Sequence, residues 1–192
     1  MRSWEEYREE KCRKYQRVKE SGEVDEDIIP LLDLFNSSDN FVTLSCCSGR
    51  IGILDTPSPG DKLNSTFLGK WHHSIEPQQV VETAEQGRQT VWLINDPPIL
   101  HVACKNLKIA GELMEMASEA RFSSCGIISL KKNIVEVTSH EGMEVPFFKG
   151  TFLVDETSLE VIVELAKELA NEKLKKGKEK LVSLENILKD SI

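Results

Sequence analysis

From Ser158 onward the apolar residues Leu159, Ile162, Val163, Ala166, Leu169, Ala170 and Leu174 recur at helical period. The pattern continues past Gly177 to Leu181, Leu184, Ile187 and Leu188 over a backbone rich in Glu and Lys. The spacing predicts a long C-terminal helix in which Gly177 is the one candidate break. Leu107, Ala110, Leu113, Met114, Ala117 and Ala120 form a second stripe at three- and four-residue spacing. That stripe predicts an internal helix packed on the strands before it.

The remaining elements are short. Trp4, Tyr7, Cys12, Tyr15 and Val18 punctuate a charged segment and predict a surface helix over 3–19; Ile28 to Phe35 predicts a second and Gln78 to Gln86 a third. Phe41 to Leu44 and Gly52 to Leu54 read as strands, with Ser45 to Arg50 at the bend between them. Val91 to Ile94 and Ile99 to Cys104 read as strands around a Pro97-Pro98 turn. Ile127 to Leu130, Ile134 to Thr138, Val145 to Phe148 and Thr151 to Val154 predict a four-stranded meander. Helices and strands are mixed rather than strictly alternating, and no GxGxxG turn follows a strand. The expected fold is α+β (mixed α/β), a mixed, largely antiparallel sheet packed with helices and not a Rossmann fold. Residues 1–192 read as a single domain with a helical N-terminus. Ser45-Cys-Cys-Ser-Gly-Arg-Ile51 and Ser123-Ser-Cys-Gly-Ile127 echo one another, as an internal duplication would leave them.

Composition narrows the function. A formal net charge of -8 gives no general attraction to phosphate, so any nucleic-acid surface has to be a local patch. No apolar run approaches the roughly 20 residues of a membrane span and the N-terminus has no signal-like segment, which predicts a cytoplasmic protein with no membrane partner. Cys12, Cys46, Cys47, Cys104 and Cys125 form no CxxC pair, so neither a disulfide framework nor a metal or iron–sulfur site is expected.

Several residue types invite chemistry, each with a plainer alternative. Ser45 to Arg50 is a tight bend with a permissive glycine and hydroxyls that cap local backbone, or a ligand-binding turn. Arg50 suits bidentate recognition of a carboxylate or phosphate, or pairs with a surface acid. His72, His101 and His140 are of the residue type best suited to accept a proton in catalysis, although His101 sits within an apolar run as a core residue would and His140 falls in a turn. His73 reads as solvated, and Trp71 more readily as a core anchor than a ligand wall. Cys47 beside a histidine would suit a cysteine-dependent hydrolase, but nothing marks it as a thiolate. Lys62, Lys70, Lys131, Lys132 and the lysines from Lys173 to Lys180 are the available basic groups; the last set alternates with Glu172 and Glu179 as a solvated helix face does.

Taken in order, Gly22-Glu-Val-Asp-Glu-Asp-Ile28, Asn40-Phe-Val-Thr-Leu-Ser-Cys-Cys-Ser-Gly-Arg-Ile51, Gly69-Lys-Trp-His72, Ile99-Leu-His-Val-Ala-Cys104 and Ser139-His-Glu-Gly-Met-Glu-Val-Pro146 resemble the signature blocks of the tRNA wybutosine-synthesizing protein 3 family. The resemblance runs from about residue 8 to residue 180. Two features depart from it: Cys46 stands where the family usually has serine, and Arg121 and Cys125 where it favours Gly and Ser.

The resemblance implies S-adenosylmethionine-dependent methylation of a ring nitrogen in a 4-demethylwyosine-type base at position 37 of tRNA(Phe), so that the partner is the anticodon loop. Within the matched segments, Ser45, Ser48, Gly49, Arg50, Trp71 and Glu144 have groups that suit such a cofactor, and His72, His101 and His140 are candidate proton acceptors. An anticodon-loop base is already single-stranded, so stacking and a few phosphate contacts suffice to hold it. A noncatalytic RNA-binding or scaffolding role in tRNA modification is the alternative. The oligomeric state is left open.

Overall fold

The computed structural model describes residues 3–61 and 63–191; Lys62 lies outside them. The elements in chain order are α1 (Trp4–Glu20), a 3₁₀ turn (Glu26–Ile28), α2 (Ile29–Ser37), β1 (Phe41–Cys47), β2 (Arg50–Asp55), β3 (Thr66–Trp71), α3 (Pro77–Ala84), β4 (Val91–Asp96), β5 (Ile99–Cys104), α4 (Leu107–Glu119), β6 (Ser124–Ser129), β7 (Ile134–Thr138), β8 (Met143–Phe148) and α5 (Glu156–Ser191). Local chemistry sets the helix starts. Ser3 and Glu6 cap α1 reciprocally, Pro30 falls in the first turn of α2, Glu76 and Gln79 form a capping box before α3, and the Asn106 side chain accepts from the Ile109 N–H of α4.

The strands form two four-stranded antiparallel sheets, ordered β1-β5-β7-β6 and β3-β2-β4-β8. The α+β expectation holds, but the strands are dealt between the sheets in a way their spacing does not announce. β6 and β7 make the expected hairpin. β8 leaves it to pair with β4, and beyond β8 only an isolated bridge joins Phe148 to Phe152. The four-stranded meander is therefore replaced by a hairpin and a strand of the other sheet. β4 and β5, on either side of Pro97-Pro98, likewise belong to different sheets, because two successive prolines force an extended connection rather than a hairpin turn.

The chain forms two compact units, each woven from separate segments. The first comprises 1–48, 98–140 and 177–192; the second comprises 49–97 and 141–176. In the first, alternate residues of β5 and β7 (Leu100, Val102, Cys104, Val135, Val137) face Leu31, Phe35, Leu113, Leu184 and Leu188 from the helices, all buried. In the second, Ile51, Ile53, Val91 and Leu93 pack with Val80 and Ala84 of α3 and Val163, Ala170 and Leu174 of α5. Each fully buried Leu or Phe contributes about 2–3 kcal/mol of transfer free energy. Asn171 on α5 clamps the loop before α3, accepting from the Ile75 N–H at 3.1 Å and donating to its carbonyl at 3.2 Å. Of the two Ser-Cys-Gly echoes, the first runs from the end of β1 into β2 of the other sheet, whereas the second runs into β6, so the two are not structurally equivalent.

Candidate functional site

Ser45 to Arg50 is the segment by which the chain leaves the first sheet and enters the second. β1 pairs with β5, β2 pairs with β3 and β4, and Gly49 between them has φ of 92°, a backbone state that side chains resist. The strands flanking the motif are thus not partners.

In the first unit Ser48 is fully buried. Its backbone N–H and its hydroxyl both donate to one carboxylate oxygen of Asp25, at 2.9 and 3.1 Å. Ser45 is exposed, just past a bulge between Thr43 and Ser45. Its register partner is His101, whose own partner across β7 is Glu136. Ser45, His101 and Glu136 therefore form a row on the face of the sheet opposite Leu100, Val102 and Val135. His101 Nε2 lies 2.8 Å from a Glu136 carboxylate oxygen; a carboxylate only accepts, so Nε2 carries hydrogen and Nδ1 is left as the basic nitrogen of the neutral ring. His140 is exposed, and only its backbone is tied, through Ser123 Oγ at 3.1 Å.

In the second unit the sheet divides the sequence-derived set. Arg50 and Asp96 are cross-strand partners and pair through Nε at 2.8 Å, both half-buried. The Arg50 guanidinium also lies over the Phe67 ring at 4.7 Å, with the Lys70 ammonium over the same ring at 4.3 Å. Gly52 makes room for that ring, since a Cβ there would sit 2.7 Å from it. Glu144, exposed, shares this face through its pairing with Ile94. Trp71 is on the other face, where its indole covers Gly69 and packs on the core. The backbone beyond Trp71 brings His72 Nδ1 within 2.8 Å of the Gly49 carbonyl, so Nδ1 is its protonated nitrogen. Trp71 is thus held apart from Arg50 and Glu144 by the thickness of the sheet.

Three residues at these sites carry no sequence period that singles them out: Phe67, Asp96 and Glu136. Asp25 is different, since it lies within the Gly22 to Ile28 block, and its bonds to Ser48 join that block to the motif. Three of the cysteines are held as neutral thiols. Burial pushes the Cys46 and Cys104 thiols up to about 12 and Cys125 to about 11. The C-terminal lysines are largely engaged: Lys173 donates to the Glu141 carbonyl at 3.2 Å, Lys176 pairs with Glu172 at 2.6 Å, and Lys178 pairs with Asp27.

Two antiparallel sheets with helices on one face of each, and a serine-cysteine-glycine-arginine crossover between them, define a class of α+β protein distinct from the Rossmann enzymes. Residues 2–190 match the family described as Methyltransferase TYW3, and the chain belongs to that family. It is 50% identical over 186 residues to a protein of Archaeoglobus fulgidus named tRNA(Phe) 7-((3-amino-3-carboxypropyl)-4-demethylwyosine(37)-N(4))-methyltransferase, covering 96% of this chain and 93% of that one. A Pyrococcus horikoshii protein of the same name, numbered 1, is 43% identical over 169 residues, 86% of this chain and 84% of that one. Among solved structures, the PH1069 protein from Pyrococcus horikoshii superposes with a TM-score of 0.88 at 37% identity, covering 97% of this chain and 96% of that one. A hypothetical protein from Aeropyrum pernix gives 0.66 at 25% identity, covering 85% and 98%. No helix among the described residues is long and apolar enough to cross a membrane.

Proposed function

We propose that this chain transfers a methyl group from S-adenosylmethionine to the N4 position of a 4-demethylwyosine-type base at position 37 of tRNA(Phe), in the cytoplasm and without a metal. The observation that carries the reading is the 50% identity, over 96% of the chain, to the Archaeoglobus fulgidus methyltransferase.

The donors on the open face of the second sheet fit the cofactor's chemistry. Phe67 offers a plane for a purine, the Asp96 and Glu144 carboxylates accept from ribose hydroxyls or an ammonium, and Arg50 matches a carboxylate. Gly49 sets the crossover and Trp71 supports β3 from behind. Ser48 holds the crossover to Asp25, which makes its part positional, and Ser45 is the hydroxyl that faces outward. When bound, the cofactor supplies an electrophilic methyl group on a sulfonium. A good leaving group of that kind would need no nucleophile from the protein, so the chain's own part would be to hold donor and acceptor in line and to take up the proton shed by the methylated nitrogen. Of the three histidines, His101 is best prepared to accept that proton, because Glu136 fixes its tautomer and stabilises the cation that forms. His72 is held through Nδ1 by Gly49, and His140 lacks an anchored ring.

The test is incubation with S-adenosylmethionine and tRNA(Phe) carrying the unmethylated base, followed by mass spectrometry of the digested nucleosides. The expected result is a gain of one methyl group. Arg50→Ala should weaken turnover about a hundredfold, as loss of a hydrogen-bonded charge contact does. Intact tRNA binding with no mass gain would replace this reading with a noncatalytic RNA-binding role.

A further inference from the structure

The first unit has a cleft of about 420 Å³ between α1 and the edge strand β1, within the size range of ligand sites. Lys11 and Lys14 line it from α1, Lys132 from the β6–β7 turn, and Tyr7 and Ser45 contribute its aromatic and hydroxyl surface. Glu23 is the one acidic residue in the lining, and its carboxylate accepts from the Ser21 hydroxyl at 2.6 Å. In a chain of net charge -8 this is a local reversal of sign.

The cations are largely uncommitted. Lys14 and Lys132 are exposed and have no carboxylate partner among the described residues. Lys11 reaches Glu10 at 3.0 Å while its ammonium lies 5.5 Å from the centre of the Tyr7 ring. Lys11 and Lys14 are three residues apart on one helix and so share a face. Burial holds the Tyr7 phenol above its ordinary value, which keeps it a hydrogen-bond donor. A chain of phosphate esters is the ligand class such groups suit: cations along a groove, a neutral donor and an aromatic surface.

We propose that this cleft is an RNA docking surface, in which Lys11, Lys14 and Lys132 grip the phosphodiester backbone of a single strand and Tyr7 contacts its sugar or base. The proposal rests on the tRNA reading above and adds where the RNA is held. Ser45 on the rim is the register partner of His101, so a strand lying in the cleft passes one β-strand away from the proposed proton acceptor.

The test measures binding of tRNA(Phe) and of a non-cognate tRNA to the full chain by filter retention across a salt series, alongside methyl transfer. Lys14→Gln combined with Lys132→Gln should weaken both RNAs about tenfold and reduce the slope of log affinity on log salt by about 1.4, for two single-strand phosphate contacts. The paired arginine variants should restore the slope, and Lys108→Gln, outside the cleft lining, should change nothing. Both substituted lysines are exposed, so an unchanged thermal melt is expected and separates lost contacts from lost folding. Unchanged affinity and slope in the double glutamine variant, with wild-type methyl transfer intact, would overturn the docking surface and leave the enzyme. Cleft-dependent binding of both RNAs with no methyl transfer would keep the surface and overturn the enzyme.

Discussion

Two serines three residues apart in one motif have opposite environments, and stability should tell them apart. Ser48 is buried and gives two hydrogen bonds to Asp25, one from its hydroxyl. Ser48→Ala should therefore cost about 1–3 kcal/mol, the usual loss when a bond to a charged partner is removed, measured by urea unfolding. Ser45→Ala, at an exposed position, should leave the unfolding midpoint in place. The thiols make a second residue-scale prediction. Cys46, Cys104 and Cys125 are raised to between about 11 and about 12 by burial. They stay neutral in the folded chain but ionise near 8.5 once unfolded. A group raised on folding stabilises fully below its unfolded value and loses that contribution as pH rises toward the folded value. The melting temperature should accordingly fall between about pH 9 and 11, and a Cys46→Ala, Cys104→Ala double variant should flatten that fall. Iodoacetamide at pH 8 should modify these three cysteines slowly in the folded protein, as their thiolate fraction is small.

At the scale of the element, α5 shows how a residue can mislead when read only for propensity. Gly177 marks a break by its helix propensity, yet the helix runs unbroken from Glu156 to Ser191. The glycine is there because Pro98 approaches it: a Cβ would sit 2.6 Å from the proline Cδ and 2.9 Å from its Cγ. In an open helix Gly177→Ala would gain about 1 kcal/mol. Here overpacking against a rigid ring should reverse the sign and destabilise by about 1–3 kcal/mol, seen as a lower urea midpoint. β3 is the opposite case, a strand with little apolar signal. It lies at the edge of its sheet, where Lys70 and Thr66 face solvent, and register with β2 rather than composition makes it a strand.

At the scale of the molecule, neither unit is a contiguous piece of chain. β5, the partner of β1, comes after the whole of β2, β3 and β4, and the first core is completed by Leu181, Leu184 and Leu188 at the far end of α5. Removing residues 177–192 should therefore strip that core of three buried leucines, each worth about 2–5 kcal/mol by analogy with truncation to alanine. The expected outcome is loss of the folded first unit by hydrogen exchange. An isolated 49–97 fragment lacks β8 and α5 and should show no cooperative melt.

Periodicity alone identified α1, α4 and α5 and placed most of the strands, because burying one face of an element repeats at a fixed interval wherever that face lies. The motif and its neighbouring blocks were enough to indicate the family, and two pairs of their residues meet again in space: His72 reaches the Gly49 carbonyl and Ser48 donates to Asp25. The tertiary structure alone decided which strands share a sheet, because hydrogen-bond pairing depends on what arrives next in space, and the chain crosses between sheets at Gly49, at Pro97-Pro98 and again between β7 and β8. It alone set Trp71 behind the sheet and Arg50 in front, since Trp71 pairs with Ile51, the neighbour of Arg50 on β2, while the bulge between Ile53 and Leu54 brings Phe67, four residues before Trp71, to Arg50's face. For the same reason Phe67, Asp96 and Glu136 join the candidate sites through cross-strand neighbours that are distant in sequence.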